Sequence, residues 1–116
     1  MQTQHQHTDL KFLNSFTGGD AEKMKKYINM FLVNSKKMDD EINMAVQQND
    51  RTAVKLKVHA LKSQLSYMGA NALSQEASYI ENNIEQSGDE MNARVIELLE
   101  HIAEARIELE QQLNQI

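Results

Sequence analysis

The sequence predicts an all-α protein: an antiparallel up-down-up-down four-helix bundle with an additional short N-terminal helix. Three observations predict it. The 116 residues include no proline and only four glycines, so long stretches run without a helix breaker. Apolar residues recur at three-four spacing along four separate stretches. Between those stretches lie short polar or glycine-containing breaks, the size of the connections in a bundle.

Each element has its own signal. Residues 1 to 7 read as a flexible polar tail, and residues 8 to 116 as one domain. Thr8-Asp9 can cap a short helix from Leu10 to about Phe16. Thr17-Gly18-Gly19-Asp20 is a turn that ends in a cap. A long helix follows, with Met24, Ile28, Phe31, Ser35, Met38, Ile42 and Ala45 on one face. Gln48-Asn49-Asp50 breaks it. Asp50 caps a third helix that runs to about Met68, with Val54, Val58, Leu61, Leu65 and Met68 inward. Gly69 marks the helix end. Asn71 starts a fourth helix with Leu73, Ala77, Ile80 and Ile84 inward. After the turn Ser87-Gly88-Asp89, the last helix carries Met91, Val95, Leu98, Ile102, Ala105, Leu109 and Ile116. The seven methionines mostly fall on inward stripes and read as core filler.

Composition removes several function classes. Without cysteine there is no disulfide framework and no thiol chemistry. No run is apolar enough to span a bilayer and no signal region opens the chain, so the expectation is a cytoplasmic protein away from membranes. The net charge of −5 hides an asymmetry. Residues 1–68 hold ten cations against seven acids, and residues 69–116 hold two against ten. The overall sign and the lack of aromatics among the basic residues argue against nucleic acid. The basic half is the side expected to meet something anionic.

That half contains His59. With Val54 at the centre of the third helix's apolar stripe and about 100° per residue, His59 falls roughly 140° away, on the outer face. Lys55, Leu56, Lys62 and Ser63 are its neighbours at three- and four-residue spacing. Imidazole on a rigid helix, in water and beside cations, suits exchange of an anionic group. The other histidines carry less. His5-Gln6-His7 belongs to the tail. A di-iron bundle needs Glu-x-x-His pairs, and Leu98 stands three before His101, so no metal site is expected.

His59-Ala60-Leu61-Lys62 followed by Gly69-Ala70 resembles the signature of histidine-containing phosphotransfer (HPt) domains, four-helix carriers in multistep two-component phosphorelays. In that family the histidine is followed by any residue, Leu or Ile, Lys and Gly, with Gly-Ala or similar ten and eleven positions after it. Gly18-Gly19-Asp20 and Asn49-Asp50 also look like the family, so the resemblance covers residues 8 to 116. One position departs: Ser63 stands where glycine is usual.

The resemblance implies that His59 takes a phosphoryl group from an aspartyl phosphate as a phosphoramidate and passes it on. Lys62, then Lys55, would offset charge on the equatorial oxygens, with Ser63 beside the path. No carboxylate follows His59 within a turn on its own helix, so aspartate and Mg²⁺ would come from the partner. The chain would then be a phosphocarrier, not an enzyme, with no cofactor of its own. Its partners would be response-regulator receiver domains, including those of a hybrid sensor kinase. A docking surface is expected around Leu56, Ser66, Met30, Val33 and Lys37, on a monomer. The competing reading is a helical adaptor or coiled-coil protein, supported by the near-heptad spacing of the last helix.

Overall fold

The computed structural model describes residues 7–86 and 88–116. Five helices run in order: α1 Lys11–Phe16, α2 Ala21–Gln47, α3 Arg51–Tyr67, α4 Asn71–Asn83 and α5 Gly88–Leu113. α2 packs on α3 and α5, and α4 packs on α3 and α5, which closes the bundle. The short α1 lies across one end and buries Leu13 in the core. Ser87, in the expected turn before α5, lies outside the described residues, and Gly88 already belongs to the helix.

The expected inward stripes of α3, α4 and α5 are buried almost without exception. Leu61, Leu65, Ile80, Ile84, Leu98, Ile102 and Leu109 are all fully enclosed, each worth about 1.5–3 kcal/mol of transfer free energy. Two caps act as read: Asp20 Oδ1 accepts from Lys23 N at 3.1 Å and Asp50 Oδ1 from Ala53 N at 3.0 Å. At α1 the work divides. Asp9 Oδ1 accepts from Lys11 N at 3.0 Å, whereas Thr8 is buried against α5.

On α2 the stripe departs from expectation. Met38 is only half-buried, and the buried position beside it is Asp39. Arg106 on α5 donates to Ser35 Oγ at 3.1 Å and to Asp39 Oδ2. Three-four spacing allowed either residue inward. The arginine across the bundle decides it, because a buried carboxylate needs a cation. Burial still pushes the Asp39 carboxyl above the ordinary range, with Arg106 opposing.

Of the tail 1–7, residues 1–6 lie outside the described residues, and His7 is docked on α5. Its Nε2 is 2.8 Å from Glu104 Oε1, and its ring stacks on His101 at 5.4 Å. Glu108 accepts from the backbone N–H groups of His7 and Thr8 and from Thr8 Oγ1. From there the chain crosses the α3–α4 turn, where Asp9 N donates to Met68 O at 3.0 Å.

Gly69 has two reasons to be glycine. Its φ is +70°, and Gly69 N and Ala70 N close the α3 terminus by donating to Ser66 O and Leu65 O. A Cβ there would also stand 1.9 Å from Asp9 O. Gly18 shares the positive φ, +67°, but a Cβ there meets nothing within 4 Å.

Gly18→Ala therefore costs about 1 kcal/mol, the ordinary penalty of left-handed backbone, and Gly69→Ala more than about 3 kcal/mol, because Asp9 must also move. Paired thermal melts check this, and equal losses would remove the role given to the Asp9 crossing. Arg106→Met should cost about 3–5 kcal/mol at pH 7 by leaving Asp39 charged and unpaired. The deficit should shrink toward pH 5, since a buried carboxyl with a raised pKa destabilises only while ionised. Urea unfolding at the two pH values measures it, and a deficit that does not change with pH would contradict the account.

Candidate functional site

The site is built by the α3–α4 hairpin. Gly69-Ala70 reverses the chain so that residues equally far in sequence from Ala70 face each other. Ser66 Oγ meets Ser74 Oγ at 3.1 Å, His59 Nδ1 meets Glu81 Oε2 at 2.6 Å, and Lys55 Nζ meets Glu85 Oε1 at 2.7 Å. The ladder follows one outer edge of the two helices.

His59 is the exposed member, with 63% of its side chain open to solvent. Glu81 beside it is 16% exposed and also binds Lys62 Nζ through Oε1 at 2.8 Å. The Lys62 ammonium first, and the His59 hydrogen bond with it, hold the Glu81 carboxyl below the ordinary carboxylate range. Glu81 is therefore ionised at neutral pH and can only accept. The proton between it and His59 therefore sits on Nδ1, and in the neutral ring Nε2 then keeps its lone pair. The ring is oriented by Glu81, and Nε2 is the ring nitrogen that Glu81 does not engage.

This geometry revises the electrostatic reading of α3. Lys62 stands next to His59 in space but is held by Glu81. Lys55 is held by Glu85, a turn further along the hairpin, and not at the imidazole. Lys57, on the other flank of α3, binds Glu41 of α2 at 3.0 Å. Much of the basic half's charge on α3 is thus matched by carboxylates of this chain. The carboxylate absent from the histidine's own helix comes from α4. The sequence held the signal: folding α3 onto α4 at Gly69-Ala70 brings position 81 opposite position 59.

Ser63, one turn beyond His59, is exposed, and its hydroxyl has no hydrogen-bond partner among the described residues. It lines an open groove of about 660 Å³ together with Lys11, Phe12, Lys62, Ser66 and Ser74. Leu56 is 65% exposed, and Met30, Val33 and Lys37 are exposed on the outer face of α2. Ser66 is exposed but engaged with Ser74. An aromatic cluster was not foreseen: Phe12 and Phe16 of α1 pack on Tyr67 at 5.5 and 5.8 Å, and all three remain partly exposed. Its signal was the i, i+4 pair Phe12/Phe16 on a helix too short to bury both.

Among the described residues no cluster of histidine and carboxylate side chains is placed to hold a metal ion, and no helix is long and apolar enough to cross a membrane.

The fold has known counterparts. The HPT domain from the Hpt sensor hybrid histidine kinase of Shewanella superposes with a TM-score of 0.81 at 17% identity, over 95% of this chain and 96% of that one. Histidine-containing phosphotransfer protein B (HptB) from Pseudomonas aeruginosa PAO1 gives 0.77 at 20% identity, over the same shares, 95% and 96%. At such identities these likenesses speak for the fold alone. No curated protein matches the sequence. The Hpt domain family model matches residues 26–116, which include the whole α3–α4 hairpin with His59, Lys62 and Gly69. The chain therefore belongs to the Hpt domain family, the phosphocarrier modules of two-component signalling.

Proposed function

We propose that this chain is a phosphorelay intermediate, which takes a phosphoryl group onto Nε2 of His59 from the aspartyl phosphate of one receiver domain and delivers it to the aspartate of another. The observation that carries this reading is the pairing of an exposed imidazole with an ionised carboxylate on its Nδ1. In the first step Nε2 attacks phosphorus, the P–O bond to the donor carboxylate breaks, and a P–N bond forms. The ring becomes cationic as it reacts, and Glu81 is placed to stabilise that charge. The receiver brings its own aspartate and Mg²⁺. In the neutral ring with its proton on Nδ1, Nε2 needs no base in this chain.

Docking follows from the surface around the ring. Leu56 and Ser66 on α3 and Met30, Val33 and Lys37 on α2 form the face over which a receiver would settle, with Ser63 at the edge of the approach. Exposed apolar side chains gathered beside a reactive group are suited to a partner surface. The adaptor alternative loses its main support. The seam of α5 that could have driven a coiled coil is buried inside this bundle, from Met91 to Leu109.

His59→Gln should abolish labelling from a phosphorylated receiver domain, read as acid-labile, alkali-stable phosphate on the chain. Its stability should change by no more than about 0.5 kcal/mol, since the side chain faces solvent. Labelling that persists in the mutant would place the acceptor elsewhere. Ser63→Phe should fold like the parent and lose transfer, because the ring would stand one turn from His59 on the approach. Transfer at the parental rate would show that the receiver does not come over this face.

A further inference from the structure

The hydrogen bond between His59 and Glu81 bears on the step after phosphorylation as well as on the resting ring. We infer that Glu81 is a positioning residue for the outgoing transfer, keeping the Nδ1 proton on the phosphorylated ring so that His59 stays a ready phosphoryl donor. The inference rests on the phosphoryl reading of His59 proposed above.

The chemistry is that of a leaving group. When an oxygen nucleophile attacks the phosphorus of phospho-His59, the P–Nε2 bond breaks and its electron pair returns to Nε2. If Nδ1 holds its proton, the ring departs as neutral imidazole. If that proton has been lost, the ring must depart as imidazolate, a far poorer leaving group. The phosphorylated ring is thus a good donor only while Nδ1 is protonated. An ionised carboxylate 2.6 Å from Nδ1 favours that form.

The surroundings support the same role. The charged groups nearest the ring are Lys62 on its own helix and Glu81 on α4, with Lys55 and Glu85, just past the end of α4, a turn further along. Lys55 is paired with Glu85, and Lys62 with the second oxygen of Glu81. Both oxygens of Glu81 are therefore occupied, one by each partner, which holds the carboxylate against Nδ1. On α2, Glu41 is bound to Lys57 on the other flank of α3 and Lys36 to Asp40, while Lys37 is exposed on the proposed docking face. Of the two side chains Glu81 is the covered one, 16% exposed against 63% for His59.

The test needs no partner protein, because water can serve as the acceptor. The full chain and its Glu81→Gln variant are phosphorylated with potassium phosphoramidate, and loss of phosphate from His59 is followed by phosphorus NMR from pH 5 to 9. Glutamine keeps the size of the side chain and removes its charge. The parent should remain labile to higher pH than the variant, and at pH 8 the variant's phosphohistidine should last about tenfold longer, less than the roughly 10²–10⁴-fold of general acid catalysis because Glu81 acts only through the ring. In the parent, a Nδ1–H resonance of the phosphorylated ring should be visible and slow to exchange, and in Glu81→Gln it should be lost, which a purely structural role for Glu81 would not produce. Glu81→Asp should fall between the two. Identical lifetimes at every pH in parent and Glu81→Gln would overturn the role of Glu81 and leave the assignment of His59 standing. Failure of His59 to take the label at all would overturn both.

Discussion

The register of the α3–α4 hairpin is the constraint on which the site depends. A single left-handed residue, Gly69, closes α3, and fully buried Ala70 fixes where α4 begins. Once that turn is set, the pairs Ser66/Ser74, His59/Glu81 and Lys55/Glu85 follow from counting outward. A shift of one residue on either helix would rotate Glu81 about 100° away from the imidazole. The glycine ten residues after the histidine is thus part of the site's construction although it touches nothing reactive. The chain crossing at Asp9 presses on the same residue, so the N-terminal segment helps hold the turn that holds the site.

Charge is used differently along the two edges of α3. Toward α4 the carboxylates Glu81 and Glu85 meet the histidine and two lysines at a partly exposed seam. Toward α2, among the described residues, Lys57 pairs with Glu41 at 3.0 Å. Surface ion pairs of this kind add little stability, about 0–1 kcal/mol each. Their value here is orientation: they hold Lys62 and Glu81 in fixed positions around a ring that packing alone would leave free. The buried pair Asp39–Arg106 has another role. It joins α2 to α5 at one height and no other, which fixes the alignment of the two longest helices at some cost in desolvation.

The fold was almost wholly legible in the sequence, because apolar spacing and turn chemistry are local. Val54, Val58, Leu61 and Leu65 announce their burial without reference to any other helix, and so do the caps Asp20 and Asp50. What could not be read locally was which charged residues meet. Spacing on α2 admits Met38 or Asp39 inward, and only Arg106, 67 positions away, settles it. The same holds at the site. His59, Lys62 and Gly69 were singled out from their own segment, and Glu81 was not, because its place beside His59 depends on the hairpin. The basic half was taken as an open invitation to an anion, yet Lys55 and Lys62 on α3 are answered by the acidic half of the same chain, and Lys57 by Glu41 of its own half.

The central claim is that Nε2 of His59 carries the phosphoryl group while Nδ1 stays engaged with Glu81. It is tested most directly by ¹⁵N–³¹P coupling in the phosphorylated, ¹⁵N-labelled chain, which reports the nitrogen bonded to phosphorus. The account predicts a single one-bond coupling, to Nε2 of His59, with Nδ1 of the same ring still bearing its proton. A coupling to Nδ1 of His59, or to a nitrogen of His7 or His101, would contradict it.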